Sequence, residues 1–171
     1  MSKTFAVGLL LAALFQLLVL TGMVGLSAMP LLTGQEIKIK TIPVDPRSMF
    51  RGNYARLRYE ISEVNLESDG KKIRHGEVVY VSLSQTEDGL FEYTSASLNQ
   101  PSEGIYLRGR IQTHRYRAEQ KTYNVKYGIE AFFAPKKKAL ALEKELRDGG
   151  VAVLMVSDNG KVRLKNVIGD E

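Results

Sequence analysis

Ile105-Tyr106-Leu107-Arg108-Gly109-Arg110-Ile111-Gln112 and Tyr123-Asn124-Val125-Lys126-Tyr127-Gly128-Ile129-Glu130-Ala131 are the longest alternating stretches of this chain. In a strand, successive side chains point to opposite faces. Ile105, Leu107, Gly109 and Ile111 therefore share one face, and Tyr106, Arg108, Arg110 and Gln112 the other. In the second stretch Tyr123, Val125, Tyr127, Ile129 and Ala131 oppose Asn124, Lys126, Gly128 and Glu130. Joined around Ala118-Glu119-Gln120, the two predict a β-hairpin whose second arm ends at Pro135.

The same period continues outward. Glu36-Ile37-Lys38-Ile39-Lys40 alternates, and the two prolines of Pro43-Val44-Asp45-Pro46-Arg47 predict turn or extended backbone. Ala55, Leu57, Tyr59 and Ile61 predict one face of a further strand, with Tyr54, Arg56, Arg58 and Glu60 opposite. Ser68-Asp69-Gly70 and Glu87-Asp88-Gly89 read as turns, the second joining Val78–Leu83 to Leu90–Tyr93. Val151–Val156 reads as a buried strand, turned by Asp158-Asn159-Gly160-Lys161 into Lys161–Val167. Only Lys136–Arg147 reads as a soluble helix, stopped by Gly149-Gly150. Its opening Lys136-Lys137-Lys138 opposes the helix macrodipole and reads as a solvated charge cluster. About eight or nine short strands and one helix predict a mainly β domain, a barrel or a sandwich, with the helix capping an open end.

Ahead of this domain, residues 5–29 form one uncharged apolar run, with Gln16, Thr21 and Ser27 as its polar side chains. Roughly 25 residues suffice for a hydrocarbon core of about 30 Å. The run is longer than a signal-peptide core, and Gly25-Leu26-Ser27-Ala28-Met29 lacks an Ala-x-Ala cleavage site, so an uncleaved anchor is expected. Lys3 on one side and Lys38 and Lys40 on the other leave the positive-inside count undecided. The short N-terminal tail places the N-terminus in the cytoplasm. The expected organisation is a transmembrane anchor over 1–30 and an extracytoplasmic domain over 31–171.

The chain of 171 residues has no cysteine, which excludes disulfides, thiolate nucleophiles and cysteine metal sites. Its net charge of +5 suits anionic headgroups or a mildly basic solvated surface, and the anchor argues against nucleic acid. His75 and His114 are the only histidines, without accompanying ligand spacing, so neither a metal nor a cofactor is expected. Glu130, between Gly128 and Phe132-Phe133, reads as a partly buried carboxylate, paired with Arg108 or Arg110 or serving in binding.

Asp45 to Tyr59 resembles the GDYXXLXY family of membrane-anchored bacterial proteins, with Gly52, Tyr54, Leu57 and Tyr59 matching the signature and Asn53 standing in place of its Asp. Tyr127 to Pro135 is similar to the family's later block. The resemblance implies a placement in the bacterial envelope and no reaction. It also implies a neighbouring multi-spanning membrane protein as partner, in addition to the lipid around the anchor. Arg51-Gly52-Asn53 is turn chemistry, in which Asn keeps the backbone-bonding role of Asp without its charge. Arg47, Arg51, Asn53, Tyr54 and Arg58, with Glu130, are the candidate binding residues, because guanidinium groups grip carboxylate or phosphate. The expected function is a non-catalytic module that binds a membrane-protein partner or a ligand. The alternative is a membrane-anchored serine hydrolase. Ser48-Met49 ahead of Gly52-Asn53 is similar to the Ser-Met and Gly-Asp boxes of type I signal peptidases, though the proline expected after Ser-Met-x is absent. That mechanism needs a lysine of lowered pKa to take the serine proton.

Overall fold

The alternating runs bury their apolar faces against one another in a sandwich. The computed structural model describes residues 3–42, 54–66, 73–112, 122–133, 146 and 149–169. Helix α1 spans Lys3–Thr33. The strands are β1 (Gln35–Ile42), β2 (Tyr54–Arg56), β3 (Arg58–Tyr59), β4 (Glu63–Asn65), β5 (Val78–Gln85), β6 (Phe91–Ser97), β7 (Ile105–Gln112), β8 (Thr122–Lys126), β9 (Ala131–Phe133), β10 (Gly150–Val156) and β11 (Val162–Gly169). They form a four-stranded sheet β11-β10-β1-β3, a five-stranded sheet β4-β8-β7-β5-β6, and the pair β2-β9. Every pairing is antiparallel. Among the described residues the sheets do not close into a barrel.

Ile37, Ile39, Ala152 and Leu154 from the first sheet and Val79, Val81, Leu107 and Ile111 from the second belong to one buried cluster. Burial of such aliphatic side chains is the main stabilising term, about 1.5–3 kcal/mol each. The Val162–Val167 stretch shows how the pattern is kept. Leu164 and Val167 both turn to the core although they lie an odd number of residues apart, because a bulge between Val153 and Leu154 of β10 leaves Lys165 of β11 unpaired. Lys165 then bonds Glu36 and holds that carboxylate below its ordinary pKa, by hydrogen bond first and charge second.

The turns follow their glycines. Gly89 and Gly160 have φ of 77° and 73°, and each donates to the residue three before it, Thr86 and Ser157. Each closes a three-residue hairpin loop, as predicted for both segments. The helix expected over Lys136–Arg147 lies outside the described residues except for Leu146, which is buried beside Gly150.

Two expectations change. The strand expected from Ala55 to Ile61 is instead β2, β3 and a 3-10 turn at Glu60–Ser62, followed by β4. These pieces pair with β9, β1 and β8 respectively, so the chain passes through all three sheets within a dozen residues. That accounts for more strands than the pattern predicted. The hairpin of β7 and β8 exists but is short, pairing only Arg110↔Lys126, Ile111↔Val125 and Gln112↔Asn124. Its second arm stops at Lys126 because Gly128, at φ 83°, turns the backbone out of the ladder.

Within α1, Val7–Met29 is long and apolar enough to cross a membrane, 23 residues or roughly 34 Å at about 1.5 Å per residue. Its apolar side chains are exposed all round, including Leu9, Leu10, Leu11, Phe15, Leu18 and Val24. Such a helix has no buried stripe for a protein core. Thr21 and Thr33 return their hydroxyls to the carbonyls of Leu17 and Met29. Gly34 alone separates α1 from β1.

Gly109 lies on the core face of β7, where an added Cβ would sit 2.2 Å from Val125 Cγ1 and 3.0 Å from the Tyr127 ring. Gly109→Ala is expected to destabilise the domain by about 1–3 kcal/mol, the usual cost of overpacking. A lowered urea midpoint of the detergent-solubilised protein checks this, against Gly25→Ala in α1, where a Cβ meets nothing within 4 Å and the backbone is helical.

Candidate functional site

The two sequence blocks that carry the resemblance meet in space. Tyr54, Ala55 and Arg56 pair with Phe133, Phe132 and Ala131. One residue on, the Leu57 amide donates to the Glu130 carbonyl at 2.9 Å. The Tyr59 hydroxyl donates to the Ile129 carbonyl at 2.6 Å, and the Tyr127 hydroxyl to the Ile61 carbonyl at 2.7 Å. Each block thus supplies a buried phenol to the other's backbone. Leu57 and Tyr59 are core residues, as their alternation predicted. A buried phenol without a partner costs about 1–3 kcal/mol, so the reciprocal pair also specifies how the blocks dock.

Glu130 holds the turn that makes this docking possible. Its carboxylate accepts the Tyr127 amide at 2.6 Å and the Gly128 amide at 3.1 Å. Its partners are backbone amides, not the Arg108 or Arg110 guanidinium. Burial pushes both the Tyr59 and the Tyr127 phenol far above the ordinary tyrosine range, and the negative charge of Glu130 adds to the shift in each.

Beside this turn lies a groove of about 490 Å³ lined by Arg108, Gly109, Arg110, Gln112, Lys126, Tyr127, Gly128, Glu130 and Lys161. It exists because β8 leaves β7 after Arg110, and the turn from β10 to β11 takes its place. The Arg108 amide there donates to the Gly160 carbonyl at 2.8 Å. Gly160 is required at that contact, since a Cβ would stand 2.6 Å from the Tyr106 ring. Arg108, Arg110, Gln112 and Lys126 are the outward-facing members of their strands, and Lys161 reaches the groove from the turn. One Arg110 nitrogen donates to the Gly76 carbonyl. Among the described residues, the ion pairs are Arg58–Glu63 and Lys165–Glu36, neither of which uses a groove cation. Among the described residues, four cations therefore face a single carboxylate that is already bonded to backbone, an arrangement suited to an anion.

The sequence-derived candidates distribute unevenly. Glu130 lines the groove. Arg58 is exposed, pairs with Glu63 and is not among the groove residues. Tyr54 is placed through its backbone in β2. Arg47, Arg51 and Asn53 lie outside the described residues, as do Ser48 and the two-proline segment. Arg108, Arg110 and Lys126 were recognisable as outward members of alternating strands. Nothing local to Lys161 points to the groove, which depends on a turn from the other sheet. Among the described residues no three His, Cys, Asp or Glu side chains gather as a metal site would need.

A family model described as GDYXXLXY protein matches residues 16–167. The chain belongs to this GDYXXLXY family. Comparison with curated proteins and with solved structures gives no significant match.

The two phenols give stability a pH dependence. A folded pKa above the unfolded value of about 10 leaves their contribution intact below that pH and removes it as pH rises beyond. With two phenols the loss reaches at most about 2.7 kcal/mol per pH unit. The urea midpoint is expected to fall steeply above about pH 10. Tyr127→Phe should lower it at neutral pH, by stranding the Ile61 carbonyl, and remove about half of the alkaline slope attributable to the pair.

Proposed function

We propose that this protein is a single-span envelope protein whose β-domain is a non-catalytic binding module. In this reading α1 crosses the cytoplasmic membrane with Lys3 on the inner side, and the domain from β1 onward is extracytoplasmic. The module takes an anionic ligand, or an acidic segment presented by a multi-spanning membrane-protein partner. The observation that carries the binding reading is the groove, with Arg108, Arg110, Lys126 and Lys161 around a carboxylate already satisfied by amides. Family membership and the uniformly apolar surface of α1 support the anchoring.

Placement and binding are tested separately. The native chain has no cysteine, so Asp88→Cys, at an exposed residue in the turn from β5 to β6, gives a single thiol. A membrane-impermeant maleimide is expected to label it in intact spheroplasts. Labelling only after permeabilisation would reverse the orientation. For binding, the detergent-solubilised full-length protein is expected to co-purify with a membrane protein or retain an anionic small molecule. Arg108→Gln/Lys126→Gln should lose that companion while keeping the parent's melting temperature within about 2–4 °C. Retention by the variant would exclude the groove.

A further inference from the structure

At Lys161 the groove reaches the end of the sandwich from which α1 departs. Gln35, the first residue of β1, follows Thr33 after Gly34 alone and pairs with Val156, the last residue of β10. The turn that carries Lys161 comes directly after Val156, so it sits at the same end. A side-chain contact fixes the level independently. Arg163, two residues past Lys161, donates through Nε to the Ser27 carbonyl at 3.1 Å and through a terminal nitrogen to the Ser27 hydroxyl. Ser27 lies inside the apolar stretch Val7–Met29, close to its end. With α1 in a bilayer, Arg163 is held where hydrocarbon gives way to headgroups, and Lys161 stands next to it.

We propose that the groove holds the phosphate of an anionic lipid headgroup from the membrane that α1 crosses. This rests on the reading of the groove as the module's binding site and names its ligand. Guanidinium and ammonium groups supply the donors that phosphate oxygens accept, and Arg108 and Arg110 offer planar forks. At about 490 Å³ the groove has the scale of a small-molecule site and exceeds what a bare phosphate fills. Glu130, the one carboxylate among the described residues of the wall, has its oxygens engaged by the Tyr127 and Gly128 amides. An anionic leaflet meets the groove at Lys161 without any diffusion of ligand, and a cation near the surface is worth about five-fold in binding.

The test uses full-length protein in a non-ionic detergent, titrated with short-chain phosphatidylglycerol, short-chain phosphatidylcholine, glycerol phosphate and a poly-glutamate peptide, with bound ligand counted by native mass spectrometry. One phosphatidylglycerol is expected to bind saturably, well ahead of phosphatidylcholine. Arg108→Gln/Lys126→Gln should weaken it by about 10- to 30-fold. Lys38→Gln/Lys40→Gln, which removes the same charge from the exposed face of β1, should leave it within about two-fold. Thermal melts establish that both variants are folded. Equal weakening by both pairs of substitutions would overturn the proposal, since it would mean general attraction and no site. Binding of glycerol phosphate or of the peptide without the lipid would also overturn it, while leaving the anion-binding module standing. If the parent binds none of the anions, the proposal and the reading beneath it fail together.

Discussion

Two phenol-to-carbonyl hydrogen bonds, Tyr59 to Ile129 and Tyr127 to Ile61, are the constraint on which the rest of this domain depends. Each joins backbone far apart in sequence, and each phenol is buried where water cannot replace the partner. Meeting both bonds at once requires β8 to end at Lys126 and the backbone to turn at Gly128. It also requires the chain from Tyr54 to Asn65 to change sheets instead of continuing as one strand. Glu130 makes the turn affordable by accepting the two amides that leave the ladder.

The groove is a consequence of the same constraint. Had β8 remained beside β7 along its whole length, the residues after Lys126 would have covered the edge of Arg108. Instead the Gly160 carbonyl takes the Arg108 amide, and a gap is left between the departing strand and the incoming turn. The outward cations of β7 and β8 converge on that gap. In this arrangement Leu57 and Tyr59, the described signature residues buried in the core, build the frame, and less distinctive arginines and lysines line the groove.

Much of the fold was legible because period-two alternation leaves little choice of face. Ile37 and Ile39, Leu57 and Tyr59, Leu107 and Ile111, and Tyr123 and Val125 are all buried as their spacing predicts. Both glycine-closed hairpin loops were legible for the same local reason. What alternation does not carry is pairing. Nothing in Tyr54–Asn65 announces that three different strands will claim its parts, since a β-face looks the same whichever neighbour it meets. The site divides similarly. Glu130 stood out as a carboxylate among apolar residues, but its bonding to backbone, and the arrival of Lys161, follow from contacts across the sandwich.

Gly34, the single residue between α1 and β1, has a mechanical meaning. A domain on a long tether samples a volume, whereas this one is mounted like a flag on a short staff. Rotation of the helix about its axis must swing the sandwich with it, and Arg163 on Ser27 adds a second point of attachment. A domain of this size extends roughly 35–40 Å from its base. The azimuth at which the groove points is set by the rotation of the helix and not by wandering of the domain on a tether.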